Sequence, residues 1–279
     1  MNICSLLPLC AALALLARPA AAQIEVICQP VHTTYIIGEE TSIRVEVRNN
    51  TGVPLTFAGS NHTAHLAFEL TTASGAAVPL KAEVPFAASD AVKGGEQWIR
   101  SVDLQAFYDL RNPGRLKLRA YVEWDGNAYL SAKSFFNVER GAEQLKQTVS
   151  TGTGKDKVKV QYCLRSVARE DGEILFMCIE DPDSQRRYAA ANLGTQVRLY
   201  TPQMLRDESG HTHTLHQSAP NRFTHSELSP TGRMISQEHF SNDYQMPEIK
   251  SVEGHVVTSG RPYVPGEDRA IPVGPEPRQ

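Results

Sequence analysis

Thr41-Ser42-Ile43-Arg44-Val45-Glu46-Val47-Arg48 alternates polar and apolar residues without a break, and Asn49-Asn50-Thr51-Gly52 turns the chain directly after it. Successive side chains of an extended strand point to opposite faces. Ile43, Val45 and Val47 therefore make one apolar face, and Arg44, Glu46 and Arg48 make a wet one. The same period recurs outward from this stretch. Ile24, Val26 and Cys28 alternate before it; Leu66, Phe68 and Leu70 follow it and are closed by Ser74-Gly75. Trp98, Val102 and Leu104 align on one strand, Arg115 to Val122 alternates strictly, and Phe136 and Val138 end the series. Asp125-Gly126 marks a hairpin. Short strands with one apolar face each, punctuated by Gly, Asn and Pro, predict an all-β chain whose residues 23–140 form an antiparallel sandwich.

A resemblance rests on particular residues here. Tyr35-Ile36-Ile37-Gly38-Glu39, the strand at 41–48, the Asn-Thr-Gly turn and Leu55-Thr56-Phe57 resemble the opening of bacterial Ig-like sandwich domains. They also resemble the opening of the domain family of the BsuPI intracellular proteinase inhibitor. Val102-Asp103-Leu104, Tyr108-Asp109-Leu110, Pro113-Gly114 and Leu116-Lys117-Leu118 resemble the ending of related exported sandwiches. The resemblance spans residues 24–139 and implies an Ig-like fold there. It also implies one alternative for function, a protease-inhibitor-like module.

The chain opens with an apolar run from Leu6 to Leu16, followed by Arg18-Pro19 and then Ala20-Ala21-Ala22 before Gln23. That order reads as a signal peptide cleaved after about Ala22, and so as a secreted or periplasmic protein. The run is well short of the roughly 20 residues a membrane helix needs, and no later segment is apolar enough, so no integral membrane segment is expected after cleavage. Removing residues 1–22 removes Arg18 alone among the charges. The formal net charge then moves from −3 to −4, because 27 Lys and Arg face 31 Asp and Glu. This balance argues against nucleic acid, which rewards a basic patch. No cofactor is expected.

Past residue 140 the composition changes. Residues 141–156 are polar and rich in Gly, Thr and Ser, and read as a linker. Within it Thr151-Gly152-Thr153-Gly154-Lys155 imitates a phosphate loop, but Val149 stands where the motif needs its first glycine. Residues 157–258 again read as strands, a β-meander of propeller-like character that forms a second all-β domain. Residues 259–279, with Pro262, Pro265, Pro272, Pro275 and Pro277, read as a disordered tail.

The hairpin around Arg169-Glu170-Asp171-Gly172 fixes a register. A tight turn there sets Tyr162 opposite Ile179, Leu164 opposite Met177, and Cys163 opposite Cys178. A slip of one residue would send the apolar sets to opposite faces. Export makes a Cys163–Cys178 disulfide chemically reasonable, while Cys28 reads as a small buried residue.

Residues able to carry chemistry are few. His211 and His213 share a strand face at a spacing that metal ligands use, His216 falls on the other face, and His225 and His239 stand on neighbouring strands. Neither G-x-S-x-G nor H-E-x-x-H occurs. Glu180, Asp181 and Asp183 cluster at an acidic turn around Pro182, and solvated turn residues are the simplest account of them. Trp124, at the tip of the Asp125-Gly126 hairpin, is a candidate ligand contact. The leading expectation is an exported, non-enzymatic binding or structural protein whose partner is a protein or a cell-surface polysaccharide. A metal-dependent hydrolase built around His211 to His239 is a further alternative.

Overall fold

The computed structural model describes residues 23–58, 63–87, 90–151, 158–243 and 245–265. The leader, residues 152–157 of the phosphate-loop look-alike, and the tail from residue 266 lie outside the described residues. What is described is almost entirely antiparallel β-strand, as the alternation predicts. The strands fall into two compact units.

In chain order the first ten strands are β1 (Ile24–Pro30), β2 (Thr34–Ile36), β3 (Ser42–Asn49), β4 (Leu55–Thr56), β5 (Ala64–Thr72), β6 (Ala91–Val92), β7 (Gln97–Asp103), β8 (Gly114–Trp124), β9 (Asn127–Leu130) and β10 (Ser134–Glu139). A single turn of helix, α1 (Leu104–Phe107), follows β7. The first unit holds residues 23–31, 41–108 and 115–136. One of its sheets runs β1–β3–β7. Cys28 lies opposite Val45 there, and Ile43 opposite Val102. Another brings β5, β8 and β10 side by side with β9 on β8. The alternation at 41–48 becomes a fully buried row of Ile43, Val45 and Val47, and Leu118, Ala120 and Val122 do the same for β8. Tyr108 is buried and donates its hydroxyl to the Phe68 carbonyl at 2.8 Å. The Asp125-Gly126 turn has φ of 49° and 72°, the two positive values that a tight hairpin of right-handed strands requires.

The remaining strands are β11 (Ala142–Thr151), β12 (Val158–Arg169), β13 (Gly172–Glu180), β14 (Arg187–Gln196), β15 (Gln203–Arg206), β16 (Thr212–Ala219), β17 (Arg222–Leu228), β18 (Met234–Ser241), β19 (Glu248–Val252), β20 (His255–Ser259) and β21 (Arg261–Pro262). They belong to the second unit with residues 32–40 and 109–114, so the sandwich boundary expected at residue 140 is not a clean cut. β2 pairs in parallel with Asn137–Glu139 at the end of β10. Residues 142–151, expected as linker, are instead an edge strand on β12. Its polar composition hid two apolar positions, Leu145 and Val149, that pack against the core. Arg261-Pro262 likewise pairs with β18 at an edge, where proline's missing N–H is tolerated.

The expected meander is present as β15–β16–β17–β18. It packs as one layer on a second sheet, β11–β12–β13–β14. Tyr162, Leu164, Leu175, Met177, Ile179 and Leu193 from that sheet share one core with Met204 and Leu228 from the meander. The opposite faces are covered too: Ile36 lies on Cys163, Phe176 and Cys178, and Ile249 lies on Leu215, Phe223 and Phe240.

Candidate functional site

The β12–β13 register is Tyr162–Ile179, Cys163–Cys178 and Leu164–Met177, as the apolar pattern requires. It delivers Glu180 to the end of β13 as a buried carboxylate, 2% exposed, between two guanidinium groups. Arg165 reaches it through Nε and Nη2 at 3.1 Å each. Arg187, itself 2% exposed, reaches it through Nε at 2.8 Å and Nη2 at 2.5 Å. Arg187 also donates to the carbonyls of Ile37 at 2.8 Å and Arg140 at 2.9 Å. Burial works to raise the Glu180 pKa, and the two arginines overcome it, holding the carboxyl below the usual range. Arg169, at the hairpin end of β12, pairs with Glu39 and donates to the Thr34 carbonyl, which pins the β2 segment down.

Above this network is a concavity of about 470 Å³ lined by Ile37, Asp109, Arg111, Asn112, Arg140 and the loop Ser184–Arg187. The loop is set by Asp181. Its Oδ1 accepts the amides of Asp183 and Ser184 at 2.9 and 2.8 Å, and its carbonyl accepts the amide of Gln185. Those amide bonds, Ser184's first, hold the Asp181 carboxyl below its ordinary pKa. The acidic turn is thus spent on its own backbone. Gln185 sits at φ 55°, a left-handed conformation that costs a non-glycine residue free energy. Four arginines and one aspartate in one concavity make an anion-attracting surface.

The histidines divide by strand face. His213 Nδ1 and His225 Nε2 meet at 3.2 Å. The rings are nearly coplanar, and their 5.4 Å centroid separation exceeds the nitrogen distance by about two ring radii. They therefore meet edge to edge through one shared N–H···N bond rather than face to face. His213 Nε2 faces Asp207 Oδ2 at 3.4 Å, and His211 pairs with Glu227 at 2.8 Å. Burial works to raise the Asp207 pKa, and the His211 amide, the His213 ring and the nearby imidazoles hold it down. His239 does not join the pair; it lies against Thr224 on the opposite face, as does His216 against the Thr195 carbonyl. Among the described residues no three His, Cys, Asp or Glu side chains converge as metal ligands would.

The expected disulfide is corrected by the structure. Cys163 and Cys178 face each other as the register requires, yet both are free thiols, as is Cys28. Opposition across two strands supplies proximity, while a bridge also needs a dihedral near 90° between the sulfurs. Here Cys163 Sγ turns to Glu180 Oε2 at 3.9 Å. Burial raises the Cys163 thiol to about 11 and Cys178 to about 12, so both stay protonated. Trp124 extends the buried row of β8 to the sheet end and lines a separate concavity of about 510 Å³ with His65, Glu123 and Asn127. His65 Nδ1 lies 3.9 Å from Glu123 Oε2 there.

Arg111, Arg140, Arg186 and Arg187 do not stand out in the sequence. The one local signal is the Arg186-Arg187 doublet two residues beyond the Asp181-Pro182-Asp183 turn.

No family model matches the chain. No curated protein matches it either. Among solved structures it is similar to Pseudomonas fluorescens alkylpurine DNA glycosylase AlkC bound to DNA containing an abasic site analog, at 14% identity over 46% of this chain, with a TM-score of 0.29. This chain spans 33% of that one. It is also similar to the periplasmic chaperone SfaE, at 9% identity over 76% of this chain and 96% of that one, with a TM-score of 0.25. Neither likeness is close enough to carry a site or a role across. Among the described residues no helix is long and apolar enough to cross a membrane.

Proposed function

We propose that this chain is an exported, non-enzymatic binding protein whose ligand, a polypeptide, seats in the concavity at the β13–β14 turn. The observation that carries the reading is the cleft itself. It gathers four arginines on a rigid floor made by the buried Glu180–Arg187 pair and the Ile37 and Arg140 carbonyls. Binding sites held by regular elements and opened by a loop are the common plan of β-sandwich recognition. The volume falls within the roughly 300–1,000 Å³ of ligand sites. The strained Gln185 backbone at the rim agrees with a loop shaped for a contact rather than for stability alone. The leader pattern supports export, and the acidic balance supports a protein partner over nucleic acid.

The test is occlusion. Ser184 is exposed at the cleft wall, so Ser184→Trp fills the site without entering the core. A photo-crosslinking residue at position 185 is expected to trap a polypeptide from the exported fraction, with the same residue at Lys133 as control. The trapping should vanish in the Ser184→Trp background. Equal capture at both positions, or capture indifferent to Ser184→Trp, would overturn the reading.

A further inference from the structure

We infer that the group seated in the cleft is a carboxylate of a polypeptide segment, held by the guanidinium groups of Arg140 and Arg186; this rests on the cleft being the binding site proposed above. Arg187 is neutralised by Glu180 and gives its other N–H groups to two carbonyls. Arg111 forms a two-pronged fork on Asp109, at 2.7 and 2.5 Å. Two of the four cations are therefore already matched inside the structure.

Arg140 and Arg186 are different. Both are exposed, and neither has a carboxylate partner among the described residues. Arg140 gives one N–H to the Gln185 carbonyl at 3.5 Å, the long end of a hydrogen bond. The Arg186 guanidinium carbon lies 5.9 Å from the Tyr188 ring centroid, a cation–π contact that engages no N–H in a hydrogen bond. Two like charges at one concavity are held at a cost that an incoming anion relieves.

The identity of that anion follows from which donors remain. Phosphate sites on loops use runs of free backbone N–H groups. Here the loop amides are consumed: those of Asp183, Ser184 and Gln185 by Asp181, and that of Arg186 by the Ser184 hydroxyl. The remaining donors are planar guanidinium forks, which match a carboxylate's two oxygens as they match a phosphate's, so it is the missing backbone amides that count against phosphate. The cleft is far larger than one carboxylate, and Ile37 and the amides of Asn112 and Gln185 suit a peptide chain carrying it.

The test is fluorescence anisotropy with the mature chain and a short fluorescein-labelled glutamate-rich peptide, its glutamine counterpart, and inorganic phosphate as competitor. The glutamate peptide is expected to bind. Its glutamine counterpart, and the Arg140→Gln and Arg186→Gln variants against the glutamate peptide, should each bind roughly tenfold more weakly. Phosphate should compete no better than its ionic strength dictates. If Ser184→Trp abolishes crosslinking to the natural partner while Arg140→Gln and Arg186→Gln leave it unchanged, the binding site stands and the carboxylate inference falls. If none of the three substitutions matters, both fall. Displacement of the peptide by phosphate beyond the salt effect would replace carboxylate by phosphate and overturn the inference.

Discussion

His216 makes the stability of the second unit acid-sensitive by a calculable amount. The side chain is 1% exposed, and Nε2 lies 3.1 Å from the Thr195 carbonyl, so it is the nitrogen that carries the proton. Nδ1 has no hydrogen-bond partner among the described residues. Protonating it would bury a cation with nothing to accept its new N–H, and burial accordingly pushes the imidazole from 6.5 down to about 4, with His239 adding to the effect. In the unfolded chain the same ring titrates near its ordinary value. Between pH 6.5 and 4 the unfolded state thus holds one proton more than the folded state, and stability falls as pH falls through that window. At roughly 1.4 kcal/mol per pH unit, the full loss is about 3 kcal/mol, complete below about pH 4. His216→Gln keeps a donor for Thr195 and removes the titration. Urea unfolding of both proteins across this pH range should give a curve for the variant that is flatter by about 3 kcal/mol. Nitrogen-detected NMR should find the Nε2–H tautomer persisting to about pH 4. An imidazole titrating near 6.5, or parallel pH curves for the two proteins, would refute the reasoning.

Two more outcomes are expected from the same unit. Glu180→Gln leaves the Arg187 guanidinium buried without its counter-charge, and should cost about 3–5 kcal/mol in urea unfolding. A cost below about 1 kcal/mol would mean that water reaches the pair. In a chain starting at Gln23, the thiols of Cys28, Cys163 and Cys178 should resist a thiol reagent when folded and all be alkylated in denaturant without reductant, as read by mass; a single alkylation would mean Cys163 and Cys178 are bridged.

The fold was legible wherever one face of a strand is buried and the other wet. Thr41 to Arg48 and Arg115 to Val122 announce their strands, because period two maps directly onto burial. The same logic placed Cys163 opposite Cys178, since only one register keeps Leu164 and Met177 together. It could not decide whether the sulfurs bond, because proximity and side-chain rotation are separate facts. β11 reads as a linker for the complementary reason. It is an edge strand touching the core through Leu145 and Val149 alone, so its composition looks like that of a linker. The histidine spacing was half informative. It put His213 within reach of His225, but strand parity sends His239 to the far face with His216.

The arginines show why the candidate site was invisible in the sequence. Arg186 and Arg187 are adjacent and chemically identical, yet the chain assigns them opposite tasks. The break in the β13–β14 register between Ile179 and Glu180 sets Arg187 opposite Glu180, where burial makes a counter-charge obligatory and Glu180 supplies it. Arg186, one residue ahead of the strand in the exposed loop, stays outward, where solvation lets the charge stand unpaired until a ligand arrives. The inward arginine in turn fixes the carbonyl of Arg140, and so fixes where the second outward charge emerges. Placing two solvated cations at one concavity therefore depends on a buried ion pair whose own contribution to stability is small compared with the cost of breaking it. A substitution at Glu180 should accordingly weaken carboxylate binding even where the unit stays folded, because it frees the floor on which Arg140 and Arg186 stand.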